Sequence, residues 1–266
     1  MGRCMMLSAS TSFGNIHGFK GEEAMCHWPE QIVESVDELL KVIWPICETN
    51  GAYIFRGQPN ASEPLRSSID RVFIKVAGEE VRLKWELRSI AQFRRLAAEF
   101  LSPVEFQLLQ QGKIAALTVM RHYGVPTRLL DWTMSPWVAA YFACAENHSE
   151  KTGGKENDGA IWILDSVKLL EKADSLETRI LGGNPTEDDL KSPKCPIPPT
   201  VERVAFDPNA KCFVVRIDNL IQNARMVAQQ GLFTFASRHN TDHDQQIAEC
   251  ISPSCETLDR RIGRRV

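Results

Sequence analysis

The sequence lacks the features that mark a membrane or secreted protein. No apolar run approaches the roughly 20 residues that a helix needs to cross a bilayer. The first residues, MGRCMMLSASTSFG, contain no apolar core of a secretory signal, and Met6 stands where a myristoylation signal wants Ser or Thr. We therefore expect a cytoplasmic protein with no membrane partner, in which residues 1–30 form a disordered arm.

Several common signatures of enzymes and nucleotide-binding proteins are also absent. The sequence has no GxGxxG motif after a strand and no GxxxxGK[ST] loop. It has no GxSxG elbow and no HExxH pair. These absences weigh against dinucleotide-binding Rossmann domains, phosphate-loop ATPases, esterases and zinc proteases.

The cysteines do not form a recognisable framework. There are eight, but none belongs to a CxxC pair, and with no secretory signal we expect reduced thiols. The most metal-like spacing is His239-x3-His243 followed by Cys250 and Cys255, which matches no common zinc module. We therefore predict no metal site.

Neither charge sign is in large excess. The formal net charge of −3 gives no reason to expect a nucleic acid or an anionic membrane as the main partner.

A length of 266 residues suits one large domain or two small ones. Helices and strands mix without regular βαβ alternation, so we predict a single α+β domain with a central sheet flanked by helices. Its bounds are residues 31–240, followed by an irregular or truncated tail at 241–266.

Capping residues and periodicity place the main elements. Ser35, Ser102 and Ser135 are predicted helix N-caps, the last two followed by proline. Pro45 is predicted to limit the first helix. Apolar periodicity predicts further helices at 79–101, 114–123 and 219–229, strands at 52–56, 159–165, 212–217 and 232–236, and an insertion or lid at 166–209.

The first segment with chemical potential is the end of the strand at 52–56. Arg56 ends that strand and Gly57 follows, so the backbone can turn and a ligand can approach. A guanidinium can bind phosphate or carboxylate with two parallel hydrogen bonds. The alternative is that Arg56 pairs with a structural carboxylate such as Asp131.

The second segment is the polar cluster from His122 to Thr133. The helix that Ser135 opens directs its free N–H groups towards this cluster, which favours anions. Trp132 could stack on a base or belong to the core. His122, in the last turn of a helix, could contact a ligand or only hydrogen-bond locally.

The third segment runs from Arg225 to Thr234. It combines a helix end, a glycine turn and the start of a strand. Gln229 and Gln230 could face a ligand or only cap main-chain carbonyls.

Together and in this order, these segments resemble the FRG-domain family over roughly residues 33–240. The aromatic-Arg-Gly motif is Phe55-Arg56-Gly57-Gln58; the PTRLLDWT-SP-AxYFA signature stands at Pro126–Thr133, Ser135-Pro136 and Ala140–Ala143; and R-x3-Q-x-G-x-F stands at Arg225, Gln229, Gly231 and Phe233. Arg121 departs from the pattern, because family members usually carry glutamine there.

A weaker resemblance is to the ADP-ribosyltransferases, and it implies NAD as a substrate. It would place Arg56 at the NAD phosphates, Thr127 or Thr133 at the nicotinamide, and Gln229 or Gln230 where those enzymes carry a glutamate. Such enzymes need a carboxylate to stabilise the oxocarbenium-like sugar cation. Glutamine has no charge, so Asp131 would have to supply it.

We therefore predict Asp131 and Gln229 as catalytic residues, and a ligand-binding set made of Arg56, Gly57, Gln58, His122, Thr127, Arg128, Trp132, Thr133 and Ser135. Two functions remain open. One is ADP-ribosyl transfer or NAD cleavage in a bacterial or phage conflict, with an unspecified macromolecular acceptor. The other is a non-catalytic module that binds a small nucleotide or phosphorylated ligand, with no cofactor certain. A third interpretation makes the same residues structural ion pairs and caps.

Overall fold

A computed structural model of the chain describes a mixed sheet and the helices around it. The described residues are 28, 30–48, 53–73, 78–97, 99–145, 158–167, 169, 199–207, 212–218, 220–221, 224–251 and 261–263. Most of the predicted arm at 1–30 and of the predicted insertion at 166–209 lies outside them.

A seven-stranded sheet in the order β1-β7-β4-β2-β3-β6-β5 forms the centre of the fold. Its strands are β1 Glu30–Ile32, β2 Tyr53–Gln58, β3 Leu129–Thr133, β4 Ala160–Asp165, β5 Val214–Asp218, β6 Gly231–Ala236 and β7 Arg261–Gly263. Neighbouring strands run antiparallel except for β1 and β7, which pair in parallel.

Helices pack around this sheet, which confirms the predicted α+β class. They are α1 Val36–Cys47, α2 Ser68–Val72, α3 Glu79–Leu96, α4 Pro103–Gln111, α5 Lys113–His122, α6 Pro136–Cys144, α7 Pro199–Val204, α8 Ala224–Gln229 and α9 His243–Ile251. Among the described helices, none is both long enough and apolar enough to cross a membrane.

The predicted serine caps are confirmed. The hydroxyls of Ser35, Ser102 and Ser135 each accept a hydrogen bond from the main-chain N–H three residues later. Ser102 also forms a complete capping box with Glu105. Pro45 does not end its helix, since α1 continues to Cys47; a proline this near a helix end disturbs few main-chain hydrogen bonds.

The long helix is shorter than predicted and buries charge as well as apolar side chains. α3 ends at Leu96, and Phe100 beyond it is 79% exposed. Leu83 and Ile90 are buried as expected from their spacing. One turn apart on the same helix, Arg82 and Glu86 are also buried, which the apolar pattern does not predict.

Both ends of the described chain contribute to the fold. Trp28, placed in the predicted arm, is buried and packs edge-on to Trp162 with ring centroids 5.3 Å apart. Its indole N–H donates to the main-chain oxygen of Asp244 at 3.1 Å. The segment predicted to be an irregular tail contains α9, whose Ile247 and Ile251 are buried, and β7, which pairs with β1 and β4.

Candidate functional site

A cleft of about 300 Å³ opens at the middle of the sheet. Strands β2, β3 and β6 form its floor, and helices α5, α6 and α8 its walls. Its polar lining is Arg56, Arg121, Asp131, Thr133 and Gln229, and its apolar lining is Phe55, Trp132, Val138, Phe142, Met226, Leu232 and Phe233, with Gly57 and Gly231 between them. Six predicted site residues therefore border one common cleft: Arg56, Gly57, Asp131, Trp132, Thr133 and Gln229.

The cleft lies where the two central strands part. β2 and β3 share one residue pair, Phe55 with Thr133, whereas β2 pairs with β4 over six residues. Immediately after this pair, Arg56 Nη1 donates to the main-chain oxygen of Asp131 at 2.6 Å. The guanidinium thus bridges the two strands at the point where their hydrogen-bond ladder stops.

Arg56 carries a charge that its surroundings satisfy only in part. Its side chain is 17% exposed, and its nearest carboxylate oxygen, Asp131 Oδ2, lies 3.8 Å from Nη1. Burial lowers the pKa of Arg56 to about 10, against the opposing effect of Asp131, so the group stays charged at neutral pH. Arg56 Nε is buried with no hydrogen-bond partner among the described residues. A buried donor left unpaired costs about 1–3 kcal/mol of stability.

Arg121 holds the carboxylate of Asp131 at two points. Arg121 Nε lies 3.1 Å from Oδ1 and Nη2 lies 2.5 Å from Oδ2. Burial tends to raise the pKa of Asp131, but the hydrogen bonds and charge of Arg121, and then the charge of Arg56, outweigh it and lower that pKa. Asp131 is therefore an ionised carboxylate, and its side chain is 43% exposed in the cleft.

Thr133 and Ser135 hold the turn between β3 and α6. Thr133 Oγ1 donates to the main-chain oxygen of Gln229 at 2.6 Å and accepts from the N–H of Ser135 at 3.0 Å. Ser135 Oγ accepts from the N–H of Val138. Both hydroxyls, predicted as ligand contacts, are thus engaged in fixing α6 and the end of α8 beside the cleft.

Helix α6 supplies an apolar wall. Val138 and Phe142 lie one turn apart on it and both line the cleft. Phe142 is 38% exposed, and its ring meets that of Tyr141 at a centroid distance of 5.5 Å. With Met226 from α8, these side chains form a surface on which a planar ring can lie.

Gly57 allows α6 to approach the sheet. A Cβ atom at Gly57 would lie 1.9 Å from the main-chain oxygen of Ala139 and 2.7 Å from the nitrogen of Ala143. The space that the missing side chain leaves is therefore filled by the backbone of α6, rather than kept for a ligand as the sequence suggested. β2 also continues through Gly57 to Gln58 instead of turning.

Three of the predicted ligand contacts point elsewhere. Gln58 Nε2 donates to the main-chain oxygens of Asn60 and Glu63 at 3.1 and 2.7 Å, which fixes the loop after β2. His122 is exposed at the end of α5 with its ring edge-on to Tyr123. Although Trp132 borders the cleft, its side chain is buried in the core and its indole N–H donates to Thr234 Oγ1 at 2.8 Å. The Trp132 indole is thus a core group.

Thr127 and Arg128 lie outside the lining of the cleft. Thr127 is fully buried, and its main chain bonds to the Ser68 hydroxyl. Arg128 is 1% exposed, pairs with Glu86 through contacts of 2.7 and 2.8 Å, and donates to the main-chain oxygen of Ser237 at 2.6 Å. For Arg128 the geometry favours the structural interpretation.

A buried charged cluster surrounds the Arg128–Glu86 pair. His239 Nε2 lies 3.5 Å from Glu86 Oε2, and Arg82 Nη1 lies 2.7 Å from Asp70 Oδ1. Burial opposes ionisation of Glu86, but Arg128 and then His239 outweigh it and lower its pKa to about 2. Sequence analysis missed this cluster because its members are far apart in the chain. The only local signal was the i, i+4 spacing of Arg82 and Glu86, which is typical of an exposed helix face.

The two histidines of the metal-like spacing also belong to the interior. His239 and His243 are each 1% exposed. Among the described residues, no group of three or more His, Cys, Asp or Glu side chains is arranged to hold a metal ion.

Residues 51–152 match the family model of the FRG domain. The chain carries an FRG domain. No curated protein and no solved structure matches the chain. The FRG domain match contains Arg56, Arg121, Asp131 and all of α6, whereas Gln229 enters the cleft from outside the matched residues.

Proposed function

We propose that the cleft of this FRG domain binds a small phosphorylated ligand, namely a nucleotide, through Arg56. The observation that supports this most directly is the position of the Arg56 guanidinium, which lines the open cleft, is 17% exposed and has its nearest carboxylate oxygen at 3.8 Å. A phosphate oxygen accepts hydrogen bonds from such a group and neutralises its charge at the same time.

The distribution of charge in the cleft supports Arg56 rather than Arg121 as the anion-binding group. Arg121 already shares two contacts with the carboxylate of Asp131. Arg56 has one main-chain carbonyl and a carboxylate oxygen at 3.8 Å. The lining therefore carries one charge-balanced pair and one further cation, as expected for a site that takes an anion.

The size and walls of the cleft suit a mononucleotide or one half of a dinucleotide. A volume of about 300 Å³ lies at the small end of ligand sites in proteins. Val138, Phe142 and Met226 offer apolar surface for a base, while the phosphate would lie at the split between β2 and β3.

A second candidate function is cleavage of NAD or ADP-ribosyl transfer, in a cytoplasmic conflict between bacterium and phage. It is favoured by Asp131, an ionised carboxylate that is 43% exposed beside Gln229 in the cleft. Such a group could stabilise a sugar cation as nicotinamide leaves. Against it, both oxygens of Asp131 are held by Arg121, so binding without turnover has the better support.

The two functions separate in one set of assays. We would titrate the protein with AMP, ADP, NAD and inorganic phosphate by calorimetry, and incubate it with labelled NAD to follow nicotinamide release. Loss of a charge-assisted hydrogen bond weakens binding by about 1.5–3 kcal/mol, so Arg56→Ala should reduce nucleotide affinity at least roughly tenfold. The exposed Arg95→Ala on α3 is the control and should bind as wild type does.

The outcomes distinguish all three interpretations. Saturable binding without nicotinamide release supports the binding module, whereas release that Asp131→Asn abolishes supports the enzyme. If no nucleotide binds, and Arg56→Ala only lowers the melting temperature, the cleft residues are structural and the proposal fails.

A further inference from the structure

Two thiols meet at the edge of the sheet, away from the cleft. Cys212 lies two residues before β5, Cys250 lies in the last turn of α9, and their sulfurs are 3.8 Å apart although 38 residues separate them in the chain. Both side chains are partly buried. We propose that Cys212 and Cys250 form a reversible disulfide on exposure to a hydroperoxide.

The geometry brings the sulfurs within reach of a bond. A disulfide needs the sulfurs about 2.0 Å apart, so each has to move by roughly 0.9 Å. Rotation of the two side chains with a small shift of α9 can supply that movement. The other groups near Cys212 Sγ are the main-chain and side-chain oxygens of Gln246, both at 3.9 Å, which are weak partners for a thiol.

The hydrogen bond with Cys250, followed by burial, raises the pKa of Cys212. Both thiols are partly buried and their sulfurs face each other, so either can react first. In one of the two orders, Cys250 attacks the hydroperoxide. Its thiolate sulfur takes the outer oxygen of the hydroperoxide, the O–O bond breaks, and an alcohol or water leaves, which gives a sulfenic acid.

Cys212 would then complete the bond. Its sulfur attacks the sulfenic sulfur of Cys250, the S–O bond breaks, and the hydroxyl group leaves as water with the proton of Cys212. The two thiols together lose two electrons and two protons, and the hydroperoxide is reduced by two electrons. A dithiol reductant reverses the step.

The bond would fix α9 against the edge of the sheet. Gln246 of α9 already donates to the main-chain oxygens of Arg238 and Thr241 at 3.0 and 2.9 Å. The same loop contains Ser237, whose carbonyl accepts from Arg128. Oxidation would thus tie together α9, β5 and the loop that supports the buried charged cluster.

Peptide mapping after oxidation tests the proposal on the full chain. The protein would be treated with hydrogen peroxide and its remaining thiols blocked. It would then be digested without reduction, and the peptide masses would be measured by mass spectrometry. We expect one peptide pair that joins Cys212 to Cys250, that dithiothreitol separates, and that is absent from Cys212→Ser. Closing a loop of this length should also raise the melting temperature by roughly 8–15 °C.

An exposed cysteine provides an internal control for thiol oxidation. Cys144 is exposed at the end of α6, and Cys144→Ser should leave the disulfide unchanged. If Cys144 is oxidised while Cys212 and Cys250 stay reduced, or if Cys250 joins a different cysteine, the proposal is overturned. Mapping of the wild-type protein decides this even where a variant folds poorly.

Discussion

Arg121 and Asp131 form a two-point ion pair at one side of the cleft, with Nε–Oδ1 and Nη2–Oδ2 distances of 3.1 and 2.5 Å. The pair uses both carboxylate oxygens, so Arg56 reaches the same residue through its main-chain oxygen instead. Two arginines in one cleft therefore differ in their contacts: Arg121 holds both carboxylate oxygens of Asp131, and Arg56 donates to its main-chain oxygen.

Replacing Arg121 with glutamine should move the pKa of the Asp131 carboxyl upwards. The variant removes the charge that most favours ionisation of Asp131. A ¹³C NMR titration of the carboxyl would measure the change. An unchanged Asp131 titration in Arg121→Gln would contradict the assigned pair.

The same pair has a small and pH-dependent effect on stability. Because the folded-state pKa of Asp131 is lowered, its contribution is present above the unfolded value of 3.8 and is lost as the pH falls through the folded value. With 43% of the side chain exposed, we expect Arg121→Gln to cost less than about 1 kcal/mol at neutral pH. Urea unfolding at pH 7 measures this cost.

Gly57→Ser should destabilise the fold strongly. Its Cβ would lie 1.9 Å from the main-chain oxygen of Ala139, so α6 would have to move away from β2. Overpacking of this kind costs about 1–3 kcal/mol, or prevents folding. Gly78→Ser is the matched control, since nothing lies within 4 Å of a Cβ there and serine is a favourable N-cap for α3. Equal stability of the two variants would contradict the close approach of α6.

Local patterns predicted the capped helices and several strands because the responsible groups are neighbours in the chain. Ser102 and Glu105 lie three residues apart, and their capping box is visible in the sequence. The strand predicted at 159–165 is confirmed as β4, because an unbroken apolar run between polar segments is typical of a buried strand.

Elements that depend on distant partners were not predictable in the same way. β3 is a central strand, yet Asp131 interrupts its apolar run, and its pairing with β6 on one side and β2 on the other makes it a strand. Gly57 looked like a turn residue because nothing local shows that the backbone of α6 packs against it. In both cases the deciding contact is made by a segment elsewhere in the sequence.

Only part of the candidate site could be predicted, because the positions of some of its residues also depend on distant partners. Arg56, Asp131 and Gln229 share the cleft, as expected from their motifs. Arg128 lies in an equally polar motif, but its partner Glu86 is 42 residues away and buried. Residue type alone could not separate an arginine that faces a cleft from one that neutralises a buried carboxylate.

Glu86→Gln should destabilise the protein by about 3–5 kcal/mol. The substitution leaves the guanidinium of Arg128, which is 1% exposed, without its charge partner. Denaturant unfolding measures the loss. Glu80→Gln breaks the exposed pair with Lys84 on the same helix and should have no measurable effect. A similar cost for both substitutions would contradict the description of the buried cluster.

His243 should make the fold sensitive to mild acid. Burial lowers its pKa from the ordinary value of 6.5 to about 4, with Asp70 opposing the shift. A lowered pKa means that the unfolded chain binds the proton first, so stability is complete above pH 6.5 and falls as the pH drops towards 4. Between pH 7 and pH 5 the loss should be about 2 kcal/mol.

Comparing urea unfolding of the wild type with His243→Gln at these two pH values tests this sensitivity. The difference in unfolding free energy between pH 7 and pH 5 should be much smaller in His243→Gln than in the wild type, whatever the stability of the variant at pH 7. If the wild type and the variant change equally with pH, His243 is not the group responsible.

Titration of ADP into the wild type, Arg56→Lys and Arg95→Lys by calorimetry tests the central claim most directly. We expect saturable binding to the wild type and to Arg95→Lys. The affinity of Arg56→Lys should be at least roughly tenfold lower, because lysine keeps the charge but loses the planar fork of N–H donors. Equal affinities of the wild type and Arg56→Lys, or no saturable binding to the wild type, would contradict the proposal that Arg56 binds a nucleotide phosphate.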